Sequence, residues 1–294
     1  MTDVKRLGYV AAGLAALWLS CVLLLHVTQR RHSSLDLPPE PADGKPGESM
    51  ARAIAAVMDL ELSSITGWRP NDVFLWGPWL WADNNSNRQL GIILAVRETT
   101  RVFKDHLTKV SSEQYDPNLV KADTMFRNDA ERLWFPSAEG RFQDGVDALN
   151  AYVAGLRRDP PSSRPLNRRN IELIRLFQTW SDLLGDAHAS LYRDEVSAFE
   201  TDDIFYHAQG VAHVLHHVNR AIRHEYRGEL ASRPILDTLF EEVTVALGHA
   251  AVLKPLVILD GDPESMFANH RRNLDAYVNE ARQKMYSIRE ELEK

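Results

Sequence analysis

From position 7 to 27 the chain reads LGYVAAGLAALWLSCVLLLHV, 21 consecutive positions without a charge. At a helical rise of ~1.5 Å per residue this run is long enough to cross a bilayer core. Lys5 and Arg6 precede it, and Arg30 and Arg31 follow it. Of its two large aromatics, only Tyr9 stands near an end, where interfacial anchors sit. The length opposes a cleaved signal peptide, and so does the ending Leu24-Leu25-His26-Val27, which offers no small-x-small cleavage site. The Trp18-Leu19-Ser20-Cys21 stretch fits a lipoprotein box poorly, because Trp is a bad fit and Val22-Leu23-Leu24-Leu25 carries the apolar run onward. The pattern predicts a retained transmembrane helix within residues 1–32, with Cys21 inside the bilayer. Residues 33–49 then hold Pro38, Pro39, Pro41 and Pro46 and few bulky apolar side chains. This composition predicts an extended spacer, which at ~3.1 Å per residue reaches ~50 Å.

From residue 50 to 294 the apolar positions recur at helical spacing. Ile54, Val57, Met58 and Leu62 form one such series, and Ile92, Ile93, Val96, Phe103, Leu107 and Val110 form another. Asp116-Pro117 opens a helix with an N-cap and a proline at the first helical position, and Pro136-Ser137 opens the next, which runs through Leu156. Asn167–Leu184 is apolar over a wide arc, which predicts a central helix buried on much of its girth. Asp202–Arg227 and Ile235–Leu247 follow, and Asp260-Gly261-Asp262-Pro263 marks a turn. Leu256-Val257-Ile258-Leu259 is the one short strand candidate. The expected fold is therefore all-α: a transmembrane helix, a Pro-rich spacer, and a single multi-helix bundle over 50–294. Leu274, Val278, Ala281, Met285, Ile288 and Leu292 advance by alternating fours and threes, a short heptad seam. It fits either a helix packed along the bundle or a seam for a partner or a second copy.

Composition narrows the function classes. Apolar residues make up 44%, enough for a core, and Gly plus Pro are too few for a low-complexity chain. The net charge of −7 argues against nucleic acid as a partner. One cysteine excludes an intrachain disulfide and a cysteine-rich zinc site.

Three constellations carry possible chemistry. His213 and His217 stand four apart on a predicted helix, the spacing that sets two imidazoles on one metal such as zinc, with His188, His249 or a carboxylate as a third ligand. Position 214 is Val, so the general base of the zinc-protease motif is missing. Packing and pH sensing are the other readings of this histidine cluster. The segment 67–91 holds Trp68, Trp76, Trp79 and Trp81 among Asn71, Asp72, Asp83 and Asn84. Such aromatics beside amides suit a glycan, a membrane edge or a protein contact, while a core plug with polar turns is the structural alternative. Glu98-Thr99 loosely resembles the Glu-Ser step of lytic transglycosylases, in which one acid cleaves the glycan. Arg157-Arg158 and Arg168-Arg169 flank a Pro-rich turn and read as a local, solvated basic patch.

Gly67-Trp68-Arg69-Pro70-Asn71-Asp72, Asp83-Asn84, Asn87-x-Gln89-Leu90-Gly91 and Trp134-Phe135-Pro136-Ser137 together resemble a bacterial family of membrane-anchored proteins, the domain of unknown function numbered 2333. The resemblance runs over nearly the whole chain and implies a bacterial inner-membrane protein; it carries no catalytic residues. The expected function is a non-enzymatic, single-pass inner-membrane protein whose helical domain binds other membrane or periplasmic proteins, or itself as a homodimer, in an assembly role. The basic residues flanking the span are balanced, and the short N-terminal tail places the main domain in the periplasm. No cofactor is expected. The alternative is a ligand-binding or hydrolytic domain acting on the cell envelope, using segment 67–91 and a histidine-bound metal.

Overall fold

The computed structural model describes residues 2–31, 41, 43–64, 67–71, 83–108, 115–194, 196–253, 255, 258–259 and 269–294; of the side chains in these stretches, 2–4, 22–31 and 198–199 are left aside. All described regular structure is helical. The helices are α1 (Thr2–Arg31), α2 (Glu48–Ser63), α3 (Asn84–Val102), α4 (Pro117–Phe126), α5 (Ala138–Leu156), α6 (Asn170–Tyr192), α7 (Ala198–Glu225), the single turn α8 (Arg227–Leu230), α9 (Pro234–Val252) and α10 (His270–Glu293). A π-helical turn, Phe103–Leu107, continues α3. The strand candidate at 256–259 falls largely outside the described residues, as does the turn at 260–263.

α1 covers the apolar run 7–27, and its exposed apolar side chains include Leu7, Tyr9, Val10, Leu14, Leu17 and Leu19. Among the described residues no helix is long and apolar enough to cross a membrane. The described side chains of α1 end at Cys21, so the last part of the predicted span lies outside them. Most of the proline-rich stretch is likewise outside the described residues, but its end is folded. The Leu166 amide donates to the Pro46 carbonyl at 3.0 Å, and α2 begins at Glu48.

Helix starts follow local chemistry. Asp116 accepts from the amides of Asn118 and Leu119, with Pro117 at the first helical position. Ser137 accepts from the Gly140 amide. Ser197 and Glu200 form a reciprocal capping box at the start of α7.

The central helix is α7, not the Asn167–Leu184 segment. α7 packs against α2, α3, α6, α9 and α10, and every residue from 208 to 219 is buried. α6 keeps an outer face, with Ile171 exposed. The hydropathy pattern hides this because α7 buries Gln209, His213, His216, His217 and Asn219 with its apolar residues. α3 crosses α7 at backbone contact. A Cβ on Gly91 would stand 2.0 Å from the His207 carbonyl oxygen, and one on Gly210 would stand 2.0 Å from that of Arg88. Only glycine fits at either position.

The heptad positions of α10 are filled from within the chain. Leu274, Val278, Ala281, Met285, Ile288 and Leu292 are all buried, and α10 packs on α6 and α9. The seam expected for a partner is therefore an internal one, since two neighbouring helices already cover its apolar face. His188 Nδ1 lies 2.6 Å from Asp275 Oδ1, and the Arg272 guanidinium sits 3.6 Å over the Tyr192 ring, both tying α6 to α10.

Candidate functional site

The Gly91/Gly210 crossing has a set of buried polar side chains beside it, among them Glu61, Arg88, Gln89, His213 and His217. Arg88 of α3 donates to Glu61 of α2 at 2.8 Å, and both side chains are 1% exposed. The other Glu61 oxygen accepts from Gln89 Nε2 at 3.0 Å. Gln89 also donates to the Gly67 carbonyl and accepts from the Arg69 amide, so it fixes the start of the tryptophan segment to α3.

One turn beyond Gly210 on α7, His213 and His217 pack edge to face with ring centroids 4.7 Å apart, and His216 meets His217 at 5.1 Å. His216 Nδ1 is 2.9 Å from the Thr244 carbonyl oxygen. Both ring nitrogens of His213 and Nε2 of His217 are buried without a hydrogen-bond partner. Burial, reinforced by Arg88 and the neighbouring imidazoles, holds the His213 pKa well below the ordinary value. His217 is pushed down to about 3, first by burial and then by His216, Arg220 and Arg88. Both rings are therefore neutral at physiological pH.

The predicted metal pair is thus adjacent, but no third ligand joins it among the described residues. Among the described residues no group of three or more His, Cys, Asp or Glu side chains is placed to hold a metal. The two alternative histidine donors are engaged elsewhere: His188 with Asp275, and His249 against the Tyr277 ring at 5.1 Å. Arg88 beside His213 also sets a cation where a metal would bring another.

The tryptophan segment divides. Trp68 is a core side chain, 2% exposed, stacked edge to face on Phe142 at 4.9 Å, with Nε1 donating to the Ala130 carbonyl at 2.8 Å. Asn71 is buried and donates to the Arg132 carbonyl and to Glu139. Asn84 is buried in the first turn of α3. These three are packing residues, which corrects their expectation as ligand contacts. Asp72, Trp76, Trp79 and Trp81 lie outside the described residues.

Asp83 precedes α3 and faces two acids of α7. Burial, then Asp203 and Asp202, pushes its pKa up to about 7. Burial with Asp202 and Glu200 raises Asp203 to about 6. Asn87 Nδ2 donates to Asp203, linking the N-terminal turns of α3 and α7.

Glu98 lacks the apolar surroundings a general acid needs, because Arg101 and Arg127 stand beside it. Thr99 is buried, and its hydroxyl accepts from Trp180 Nε1 at 3.0 Å. Three arginines of the basic patch are ion-paired within the chain: Arg157 with Glu48, Arg168 with Glu229 and Arg169 with Glu172. An open cleft of about 480 Å³ between α7, α8 and α9 is lined by Arg220, Arg223, His224 and Arg227, and Arg223 there is held by Asp237 and Glu241.

A family described as "Uncharacterized protein conserved in bacteria (DUF2333)" matches residues 6–194 and 181–294. The chain belongs to this family. No curated protein and no solved structure matches it. Within this DUF2333 chain, the family-like residues quoted from the sequence are split in role. Trp68 and Asn71 pack on α5 and the 130–132 turn, Gln89 ties α3 to α2, Gly91 lets α3 cross α7, and Asn84 is buried at the start of α3, whereas Trp134 and Phe135 stand out in solvent. The sequence reading missed Arg88, Glu61 and the outward position of Trp134 and Phe135.

Proposed function

We propose that this DUF2333 protein is a non-enzymatic, single-pass bacterial inner-membrane protein whose helical body binds protein partners in the periplasm as an assembly component. The observation that carries the anchor is α1: its described apolar side chains from Leu7 to Leu19 are exposed in an unbroken run along the helix, where the helices of the bundle bury most of theirs and expose only single ones. Exposed Leu, Val and Tyr along one helix cost free energy in water, at roughly 25 cal/mol per Å² of apolar surface, and lose that cost in lipid. The non-enzymatic part is supported by the sealing of the polar cluster. Glu61, Arg88, Gln89 and His213 are at most 1% exposed, so no substrate reaches them as they stand.

Affinity purification of the full chain from native membranes at native expression tests the partner role. A protein recovered in stoichiometric amount supports it, and recovery of the chain alone as a monomer contradicts it.

A further inference from the structure

Between α4 and α5 the chain makes a protruding turn whose tip is Leu133-Trp134-Phe135, with side chains 49%, 77% and 96% exposed. Three consecutive large apolar residues in water are unusual anywhere on a folded surface, and Phe135 has almost no contact with its own chain.

The backbone on either side of this tip is fixed. The Arg132 carbonyl accepts from the Ala138 amide at 3.0 Å and from Asn71 Nδ2 at 3.2 Å. Trp68 Nε1 holds the Ala130 carbonyl just before it, and Ser137 caps α5 just after it. Arg97 clamps the preceding turn by donating to the carbonyls of Phe126 and Asn128. A turn braced at both ends therefore presents its aromatic side chains outward as a stable feature.

We propose that Leu133, Trp134 and Phe135 form a second membrane contact, entering the headgroup level of the bilayer that α1 occupies. The proposal rests on the anchored reading above. Three features select lipid as the occupant. The tip is convex and only three residues wide, a shape that inserts among headgroups, whereas a protein contact of ordinary size needs a broad face. Trp beside Phe is the pair that settles at a membrane–water interface. The short link is the third, because the body is already met at Pro41, whose carbonyl lies 3.2 Å from His224, and the residues between Arg31 and Pro41 keep the body within ~30 Å of the membrane even when fully extended. A tether of that length makes tip insertion an intramolecular event, at an effective concentration on the order of millimolar, so a small apolar area suffices. Two contacts would hold the bundle in one orientation to the membrane, where a spacer alone leaves it free to tumble.

The test uses the full chain. Cys21 is the single cysteine, so Cys21→Ser with Phe135→Cys gives one labelling site, and Cys21→Ser with Asp182→Cys gives an exposed reference. Each is labelled with an environment-sensitive dye and placed in nanodiscs of phosphatidylcholine and phosphatidylglycerol, with and without headgroup nitroxide lipids. Circular dichroism melts establish that both fold like the parent. The proposal expects a blue shift and nitroxide quenching at 135 and neither at 182. Aqueous emission at 135 in a chain that does incorporate overturns the tip and leaves the anchor standing. Failure to incorporate overturns the anchor instead; vesicles added to the free chain then test the tip alone, and unshifted emission there overturns it. A photo-crosslinker at Trp134 that yields a discrete protein adduct in native membranes, without lipid adducts, also overturns it.

Discussion

Arg88 and Glu61 form an ion pair at 2.8 Å with both side chains 1% exposed, joining α3 to α2 beneath the α3–α7 crossing. A buried pair gains little over a well-packed apolar pair, but losing one member leaves a charge in the core, at a cost of about 3–5 kcal/mol. Glu61→Gln and Arg88→Met should each destabilise by that order. The double variant Glu61→Gln/Arg88→Met should recover part of the loss, because no charge is then stranded. Chemical unfolding of the detergent-solubilised chain checks this, and strictly additive losses would exclude the coupling.

The two glycines at the crossing make a sharper case. Gly210→Ala places a methyl 2.0 Å from the Arg88 carbonyl, a backbone atom that cannot step aside. Overpacking of this kind costs about 1–3 kcal/mol or more, since the helices must part. Gly140→Ala in the first turn of α5 meets only the Ser137 hydroxyl at 3.7 Å. That variant should be neutral or stabilising by about 0.5–1 kcal/mol. Thermal melts should show a clear drop for Gly210→Ala and no drop for Gly140→Ala.

Stability should depend on pH through two sets of groups acting in opposite senses. Unfolded, His213 and His217 bind a proton near 6.5; folded, His217 binds one near 3 and His213 is likewise held well below 6.5 by burial. Below 6.5 the unfolded chain thus holds more protons, and stability falls as pH drops toward 3. Asp83 and Asp203 are raised from 3.8 to about 7 and about 6. Their folded forms hold protons that the unfolded chain has released, so their contribution falls as pH rises from about 4 to about 7. Asp83→Asn should therefore stabilise at pH 8 by on the order of 1 kcal/mol, discounted for partial exposure, and give no gain at pH 4. Unfolding curves across that range check both slopes.

Trp68 tests whether the tryptophan segment is core or ligand surface at its start. Trp68→Ala removes the Phe142 contact and the bond to Ala130, and should cost about 3–5 kcal/mol. Trp68→Phe keeps much of the volume and should cost clearly less. Equal and negligible losses in both would return Trp68 to the surface.

The helices were legible because their signals are local. Asp116-Pro117 and Ser137 mark two helix starts, and the steps of four and three through Leu274–Leu292 mark one buried face. What that seam packs against was not legible, since one of its partners, α6, lies some way back along the chain and the other, α9, is the preceding helix, and no local pattern says that both cover the same face. The polar cluster was hidden for the same reason. Glu61 and Arg88 are 27 positions apart and His213 is further still, and no short motif joins them. The histidine spacing was readable, but not that Arg88 stands beside it and solvent does not. The exposed tip did leave a trace. Leu133-Trp134-Phe135 sits between a turn and a helix cap, where apolar residues have no periodic face to join.

Alkaline carbonate extraction of native membranes bears most directly on the anchored reading. The full chain should remain in the membrane pellet, and a variant with Leu14, Leu17 and Leu19 replaced by Lys should be released. Release of the unaltered chain into the supernatant would contradict the account.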